Sequence, residues 1–362
     1  MLMDLVTQPK QGCGHGELDN KLPPLLASMV IEGLPPIHQS MYFYDAEKVL
    51  MKHAESWQIV SFESYCVLGL FSASLLHPQI ISVDRLVLIS IQYALMFFLD
   101  DIFIDSPDQK FTLDQSGIDR SARDSPLQTK AYLDYLNAIF GQQLKPSQDL
   151  ATPMERMVWE LGHDMLQLSH PEWFRTFVES VVEHHTASVA SVADFAGGHY
   201  TSLQGLESYS HMRAGNVGGK MVQLLTEFAS NTYLPKEMRS HQIMELISNA
   251  ATMHLAFVND IYSYHKESKQ EGNPRNVITV LMKSEGKSFV QAVCAAIELI
   301  NSYASTILHL ESETLNSVLQ YHLQNIKELL AGNIYYSAST KRYRQPDSVF
   351  PELRDVKPIV GG

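Results

Sequence analysis

Two clusters of oxygen-bearing side chains interrupt otherwise apolar helical stretches of this chain. The first lies in FFLDDIFID and carries three carboxylates, Asp100, Asp101 and Asp105. The second, FVNDIYSYHKE, spaces Asn259, Ser263 and Glu267 four residues apart. Because four residues make little more than one helical turn, these three side chains form one polar stripe. Carboxylate, amide and hydroxyl oxygens together suit Mg²⁺ rather than zinc, although each cluster alone could be the hydrated end of a core helix.

The composition limits the classes of function. The chain has 362 residues, of which 45% are apolar and 19% charged, and its formal net charge is −13. This is a globular composition, and its acidic balance argues against a nucleic acid partner.

The three cysteines form no CxxC pair, so we expect neither disulfides nor structural zinc, and a cytoplasmic location fits. The N-terminus does not resemble a secretory signal. The most apolar window, Leu86–Leu99, has 14 residues, which we expect to be too few to span a membrane.

Helical periodicity runs through most of the chain, with no strand alternation and no fixed-period repeat. The sequence therefore predicts an all-α fold, a single large helical bundle with an active-site cavity in its core. We divide it into an irregular N-terminal arm (1–40), a helical domain (41–345) and a C-terminal tail (346–362). Helices are predicted at 62–76, 84–105, 127–142, 153–168, 171–196, 205–230, 236–266, 288–308 and 312–340, with a polar loop at 106–126. Asp84 is the expected cap of the second helix, and the glycines near 216–218 would allow a helix break.

Four motifs together resemble one known family. DDIFID resembles the DDxxxD form of the aspartate-rich motif of class I terpene synthases, and NDIYSYHKE resembles their NDxxSxxxE motif, including the Lys before the Glu. Arg213, forty-six residues before Asn259, is similar to the family's diphosphate-sensing arginine. Arg342-Tyr343 is similar to its closing Arg-Tyr pair.

The helix GLFSASLLHP is similar to the one that carries an aromatic wall residue, here Phe71. The motifs extend over 62–343, and the resemblance is to the short, single-domain cyclases of microbes and corals. One departure is Tyr336, where the family often has Trp.

The resemblance implies a carbon–oxygen lyase that ionises a linear all-trans isoprenyl diphosphate with Mg²⁺ and cyclises the resulting carbocation. Three Mg²⁺ ions are expected, and Mn²⁺ could replace them. The implied metal ligands are Asp100, Asp101, Asp105, Asn259, Ser263 and Glu267. The implied diphosphate ligands are Arg213, Asn259, Lys266, Arg342 and Tyr343. The implied catalytic residues are Asp100, Arg213, Arg342 and Tyr343. The implied cavity wall consists of Phe71, Phe97 and Tyr336.

Within the first motif we expect the two adjacent carboxylates to differ. Asp100 shares a helix face with Phe97 and is the leading ligand, whereas Asp101 would orient Asp100 or pair with Arg342 when the site closes. Two consecutive histidines, His184 and His185, are expected on a polar helix face rather than at a metal or acid–base site.

Two other functions compete with a cyclase. A prenyl diphosphate synthase has the same fold but would carry a second DDxxD in place of the Asn259 stripe. A catalytically silent helical protein that binds prenyl groups would be expected to lose ligands. The substrate could be farnesyl (C15) or geranylgeranyl (C20) diphosphate, with a lean towards C20, and the chain could be a monomer or a homodimer.

Overall fold

The computed structural model describes residues 22–105, 125–147, 149, 151–196, 205–268, 275–312 and 316–355. The side chains of 104–105 and 192–196 lie outside this description, and so do most of the predicted 106–126 loop and the outer parts of the arm and tail. In the described residues the chain forms helices joined by turns, without strands, which confirms the predicted all-α class.

Fourteen α-helices follow one another along the described ranges. They are α1 Leu25–Met29, α2 Phe43–Trp57, α3 Phe62–Leu76, α4 Val83–Asp100, α5 Pro126–Phe140, α6 Pro153–Gln167, α7 Pro171–Ala196, α8 Gly205–Asn216, α9 Gly219–Ser230, α10 Lys236–Arg239, α11 Gln242–Ser268, α12 Val277–Glu285, α13 Phe289–Ser312 and α14 Ser317–Ser339. A π-helical turn, Asp101–Asp105, continues α4, and a 3₁₀ turn lies at Pro351–Leu353.

Several predicted helix boundaries were wrong in ways that have local causes. The predicted helix 205–230 is two helices, because Gly218 takes a left-handed backbone conformation with φ +70° between α8 and α9. The break near 216–218 is thereby confirmed. The cap of α4 is Ser82, whose hydroxyl accepts the Arg85 amide at 3.3 Å, and not Asp84. Helices α1, α2 and α12 were not predicted, so the arm at 1–40 is not wholly irregular.

Helix α3 lies between α4 and α14, and two glycines allow close contact of the backbones. A Cβ atom at Gly69 would lie 2.2 Å from the Ser90 carbonyl oxygen of α4. A Cβ atom at Gly332 would lie 2.1 Å from the Leu75 carbonyl oxygen of α3. Both distances are far below van der Waals contact, so only glycine permits these two crossings.

Both ends of the described chain pack on the outside of α13 and α14. The Leu25 amide donates to Glu352, and the Asn301 side chain donates to the Ser28 carbonyl at 2.8 Å. Arg344 is buried and donates to the Ala338 carbonyl at 2.7 Å. The segment that follows the Arg342-Tyr343 pair is thus fixed to the bundle.

Among the described residues, two helices are long and apolar enough to cross a membrane, judged by length and composition alone: Val83–Phe103 and Phe289–Ser312. The first has 21 residues, since α4 continues through the π-helical turn, so the argument from a 14-residue window was wrong. Within the bundle 78% of its apolar window is buried, and this burial accounts for its apolar sequence.

Candidate active site

One polar cleft at the ends of α4, α8, α11 and α14 brings together most of the predicted site residues. Eight of them line it: Asp100, Arg213, Asn259, Ser263, Lys266, Glu267, Arg342 and Tyr343. Four further residues line it, Ser188, Ser191, Asn216 and Arg275, and of these only Asn216 lies in a segment that the sequence singled out, the expected helix break near 216–218. The side chain of Asp105 lies outside the described residues.

The stripe on α11 faces this cleft as its spacing predicts. The Ser263 hydroxyl donates to one Glu267 carboxylate oxygen at 2.7 Å, and the side-chain nitrogen of Asn276 donates to the other at 2.9 Å. Burial, together with the negative charge of Asp260, raises the pKa of Glu267 to about 7. The site therefore disfavours an unscreened charge on Glu267, and a bound cation would relieve this penalty.

Asn259 connects two residues that are distant in sequence, one as its donor and the other as its acceptor. Its side-chain oxygen accepts from Arg213 Nη2 at 2.8 Å, and its side-chain nitrogen donates to the Tyr343 hydroxyl at 2.7 Å. The first residue of the α11 stripe thus lies next to both the arginine of α8 and the tyrosine of the C-terminal pair.

Asp260 is a buried residue of the second motif to which the sequence argument gave no role. Tyr209 and Arg213 are four residues apart on α8, so both face it. The Arg213 Nε donates to Asp260 Oδ1 at 2.9 Å, the Tyr209 hydroxyl donates to Oδ2, and the Val277 amide donates to Oδ2 at 3.0 Å. This fully buried carboxylate is compensated by charge and hydrogen bonds, and it fixes the orientation of the Arg213 guanidinium.

Asp101 lies beside the cleft and pairs with cations. Arg342 donates to both of its oxygens, at 2.7 and 2.8 Å, Lys266 donates at 3.2 Å, and the Tyr65 hydroxyl donates at 3.0 Å. Burial alone would raise the pKa of Asp101, but the hydrogen bonds and charge of Arg342, with Lys266 and Tyr65, lower it to about 2. Of its two expected roles, the structure shows the pairing with Arg342.

The break between α8 and α9 lies next to Arg213. Arg213 Nη1 donates to the Asn216 side-chain oxygen at 2.8 Å, three residues on, at the last position of α8. A Cβ atom at Gly219 would lie 2.8 Å from the Thr252 side chain, so α9 begins in close contact with α11. The guanidinium of Arg213 is therefore held by three side chains, those of Asn216, Asn259 and Asp260.

The three predicted wall aromatics form one cluster below the Arg342 side chain. The Phe97 and Tyr336 rings are stacked, with centroids 6.4 Å apart and an interplanar angle of 10°, and the Phe71 and Tyr336 centroids are 5.9 Å apart. The Arg342 guanidinium carbon lies 5.3 Å from the Phe97 ring centre. The structure thus brings the aromatic cluster into contact with the cationic side of the cleft through Phe97.

The expectation for His184-His185 was wrong. His184 is buried, and His185 Nδ1 lies 2.9 Å from the Asn137 side-chain oxygen, so the pair faces the interior and not a polar surface. Burial, together with the charge of Arg213, lowers the pKa of His184 to about 4. Both rings are therefore neutral at pH 7.

The donor set of the cleft fits Mg²⁺. Within the described part of the chain, no three Asp, Glu, His or Cys side chains converge, as a protein-only zinc site would require. Instead, Asp100 lies at one side of the cleft and Glu267, with one hydroxyl and one amide, at the other. A few hard oxygen ligands beside a cluster of cations suit Mg²⁺ that is shared with phosphate groups.

Comparison with known proteins identifies the family. A family model described as "Terpene synthase family 2, C-terminal metal binding" matches residues 93–305. The chain belongs to this family of terpene synthases.

Individual relatives are distant in sequence. Sesquiterpene synthase 3 of Postia placenta is 24% identical over 237 residues, which cover 62% of this chain and 62% of that protein. Germacrene A synthase of Nostoc punctiforme is 24% identical over 229 residues, covering 62% of this chain and 68% of that protein. The matches thus span about two thirds of these relatives or slightly less. The crystal structure of SVS_A2, from ancestral sequence reconstruction, superposes with a TM-score of 0.71 at 19% identity over 88% of this chain and 90% of that one, and has the same fold.

Proposed function

We propose that this protein is a terpene cyclase. Its reaction would be the Mg²⁺-dependent ionisation of a linear all-trans isoprenyl diphosphate, followed by cyclisation of the carbocation to a terpene hydrocarbon or alcohol. The observation that carries the proposal is a single cleft lined both by Asp100 and by the Asn259, Ser263 and Glu267 stripe, among four cationic side chains.

The metal ligands would come from both sides of the cleft. Asp100 would hold Mg²⁺ on the α4 side, and Asn259, Ser263 and Glu267 would hold it on the α11 side. When bound, Mg²⁺ acts as a Lewis acid that neutralises the diphosphate and makes it a better leaving group.

The protein's own cations would bind the leaving group. Arg213, Lys266 and Arg342 line the cleft with Tyr343, so their N–H and O–H groups can donate to diphosphate oxygens. Arginine presents a planar fork for this contact, and Arg213 is already oriented by Asp260. Because these donors are fixed before the reaction, little reorganisation is needed as negative charge develops on the diphosphate.

The aromatic cluster would face the hydrocarbon part of the substrate. Aromatic faces attract cations, by about 2 kcal/mol or more each where water is excluded. Phe97 contacts Arg342 on one side and stacks on Tyr336 on the other, so it lies at the boundary between diphosphate and hydrocarbon. We therefore assign Phe71, Phe97 and Tyr336 to stabilising and shaping the carbocation.

For substrate length we now favour farnesyl diphosphate (C15) over C20. The relatives above are named sesquiterpene synthase and germacrene A synthase, and another relative is named (2Z,6E)-hedycaryol synthase. Sesquiterpenes are C15 compounds, so these names support the shorter substrate. The expectation of a C20 substrate rested on no individual residue of the sequence.

A direct assay tests the proposal. Purified protein is incubated with C10, C15, C20 or C25 all-trans diphosphates and Mg²⁺, and the extract is analysed by gas chromatography with mass spectrometry. We expect cyclic C15 products and release of diphosphate. Formation of longer prenyl diphosphates on adding isopentenyl diphosphate would identify a prenyl diphosphate synthase, and no product from any substrate would contradict an enzymatic role.

A further inference from the structure

One cation of the cleft belongs to none of the four sequence motifs. Arg275 lines the cleft together with Asp100, Glu267 and the three other cations. It lies beyond the end of α11, eight residues after Glu267, in the connection to α12.

The backbone beside Arg275 is anchored to the metal-ligand stripe. The next residue, Asn276, donates from its side-chain nitrogen to the Asp260 carbonyl at 2.6 Å and to Glu267 Oε2 at 2.9 Å. The same side chain caps α12, because its oxygen accepts the Ile278 amide at 3.0 Å. The Val277 amide donates to Asp260 Oδ2 at 3.0 Å. Arg275 is therefore attached to a segment whose position relative to Glu267 is fixed.

Four cationic side chains converge on the cleft, and a diphosphate group needs several such hydrogen-bond donors at one place. The described lining of the cleft contains these four cations and two carboxylates, Asp100 and Glu267. Outside the lining, Asp260 pairs with Arg213 at 2.7 Å, and Asp101 pairs with Arg342 and Lys266 at 2.7 and 3.2 Å. These two carboxylates orient Arg213, Arg342 and Lys266, and Arg275 reaches the same opening from a separate segment.

We propose that Arg275 is a further diphosphate-binding residue of this protein. Its guanidinium donates to the diphosphate from the connection between α11 and α12, and Asn276 is the residue that positions it. This inference rests on the proposed function, since it takes the diphosphate of the substrate as the ligand. A guanidinium offers two parallel N–H donors to phosphate oxygens, so a lysine at this position would be a weaker substitute.

The test measures binding of inorganic diphosphate in the presence of Mg²⁺ by titration calorimetry, which requires no turnover. We expect Arg275→Ala to weaken binding about tenfold, as for loss of one charge-assisted contact, and Arg275→Lys to weaken it less. Raising the salt concentration should reduce the difference between wild type and Arg275→Ala. The matched control is Arg175→Ala, which removes an exposed arginine of α7 and should leave the affinity unchanged. In turnover with the isoprenyl diphosphate, Arg275→Ala should raise KM more than it lowers kcat.

Two failures are distinguishable. If Arg275→Ala binds diphosphate within twofold of wild type while Arg342→Ala binds it more weakly, Arg275 is not a ligand and the cyclase assignment stands. If wild-type protein does not bind diphosphate with Mg²⁺, the proposed function fails together with this inference. Thermal unfolding of each variant identifies a loss of binding that comes from misfolding. If Arg275→Ala is misfolded, the diphosphate affinity of Arg275→Lys, which we expect to be reduced, tests the proposal instead.

Discussion

Arg342 and Asp101 form a two-pronged ion pair, with N–O distances of 2.7 and 2.8 Å, between residues 241 positions apart in the chain. The pair joins the segment after α14 to the end of α4, directly above the Phe97 ring. The two adjacent carboxylates therefore differ in their contacts. Asp100 lines the cleft, whereas Asp101 binds Arg342 and Lys266 at its border.

Loss of this ion pair should impair both the rate and the exclusion of water. We expect Arg342→Ala to lower turnover at least about tenfold, since a charge-assisted contact to phosphate and the link to Asp101 are both removed. It should also increase the fraction of alcohols formed by water capture, because the Arg342 side chain no longer covers the Asp101 side of the cleft. Product analysis with a steady-state assay measures both effects. Arg342→Lys should recover part of the rate, and an unchanged alcohol fraction in Arg342→Ala would contradict the covering role.

The α11 stripe should be required for metal use. We expect Glu267→Gln to lower activity more than about 100-fold, because loss of outer-shell partners alone commonly costs roughly 10- to 100-fold. Asn259→Ala should behave similarly, and EDTA should abolish activity in every variant. Activity is measured against Mg²⁺ concentration, with Glu298→Gln, an exposed acid of α13, as the control. Full activity in EDTA would rule out the metal assignment.

The two ends of the first motif should differ in importance. We expect Asp100→Asn to be far more damaging than Asp105→Asn, because Asp100 lines the cleft beside the stripe. The comparison uses the same Mg²⁺-dependent assay, and the reverse order would show that the leading carboxylate was chosen wrongly.

The aromatic cluster should determine the product distribution and leave the Mg²⁺ dependence unchanged. Phe97→Leu removes a ring that stacks on Tyr336, and Tyr336→Phe removes only a hydroxyl, so both should alter the product distribution while Mg²⁺ dependence stays the same. Gas chromatography of the products at matched conversion is the measurement. An unchanged product profile in both variants would place these rings in the structural core.

Buried histidines should make stability depend on pH. His254 is fully buried, and burial lowers its pKa to about 3, from about 6.5 in an unfolded chain. The folded state therefore binds fewer protons between these values, so this contribution to stability is complete above pH 6.5 and is lost as the pH falls below it. At pH 5.5 one such histidine costs about 1.4 kcal/mol of unfolding free energy. Urea unfolding at pH 7.5 and 5.5 should show His254→Leu to be less pH-sensitive by this amount, and His309→Leu, at an exposed position, to be unchanged.

The sequence predicted those parts of the fold in which one pattern decides the structure. The mainly apolar composition of α3 identified Phe62–Leu76 correctly, because most of this helix is buried against its neighbours. Helix α2 was missed although Ala46, Leu50, Ala54 and Trp57 follow helical spacing, since its mean composition is balanced between polar and apolar residues. Helix α12 is short and begins at a cap, Asn276, whose side chain is also bonded to α11. Such tertiary support is not visible in local periodicity.

For the site, motif spacing predicted which residues lie close together but not which hydrogen bonds between helices fix their positions. The stripe on α11 follows from a four-residue repeat within one helix. The contact of Asp260 with Tyr209 and Arg213 joins α11 to α8, and its only trace in the sequence is the four-residue spacing of Tyr209 and Arg213. Ser188 and Ser191 reach the cleft from α7 with no motif around them. Contacts between separate helices depend on how the helices cross, which packing of the whole bundle determines.

The glycine at position 332 sets the spacing of two helices beside the aromatic cluster. Gly332 lies one helical turn before Tyr336 and touches the α3 backbone at Leu75, one turn after Phe71. The separation of the two helices beside the aromatic pair is therefore a backbone-to-backbone contact, the smallest that two helices can reach. A Cβ atom at position 332 would force α3 and α14 apart, so the small size of this glycine determines how closely the Phe71 and Tyr336 rings approach each other.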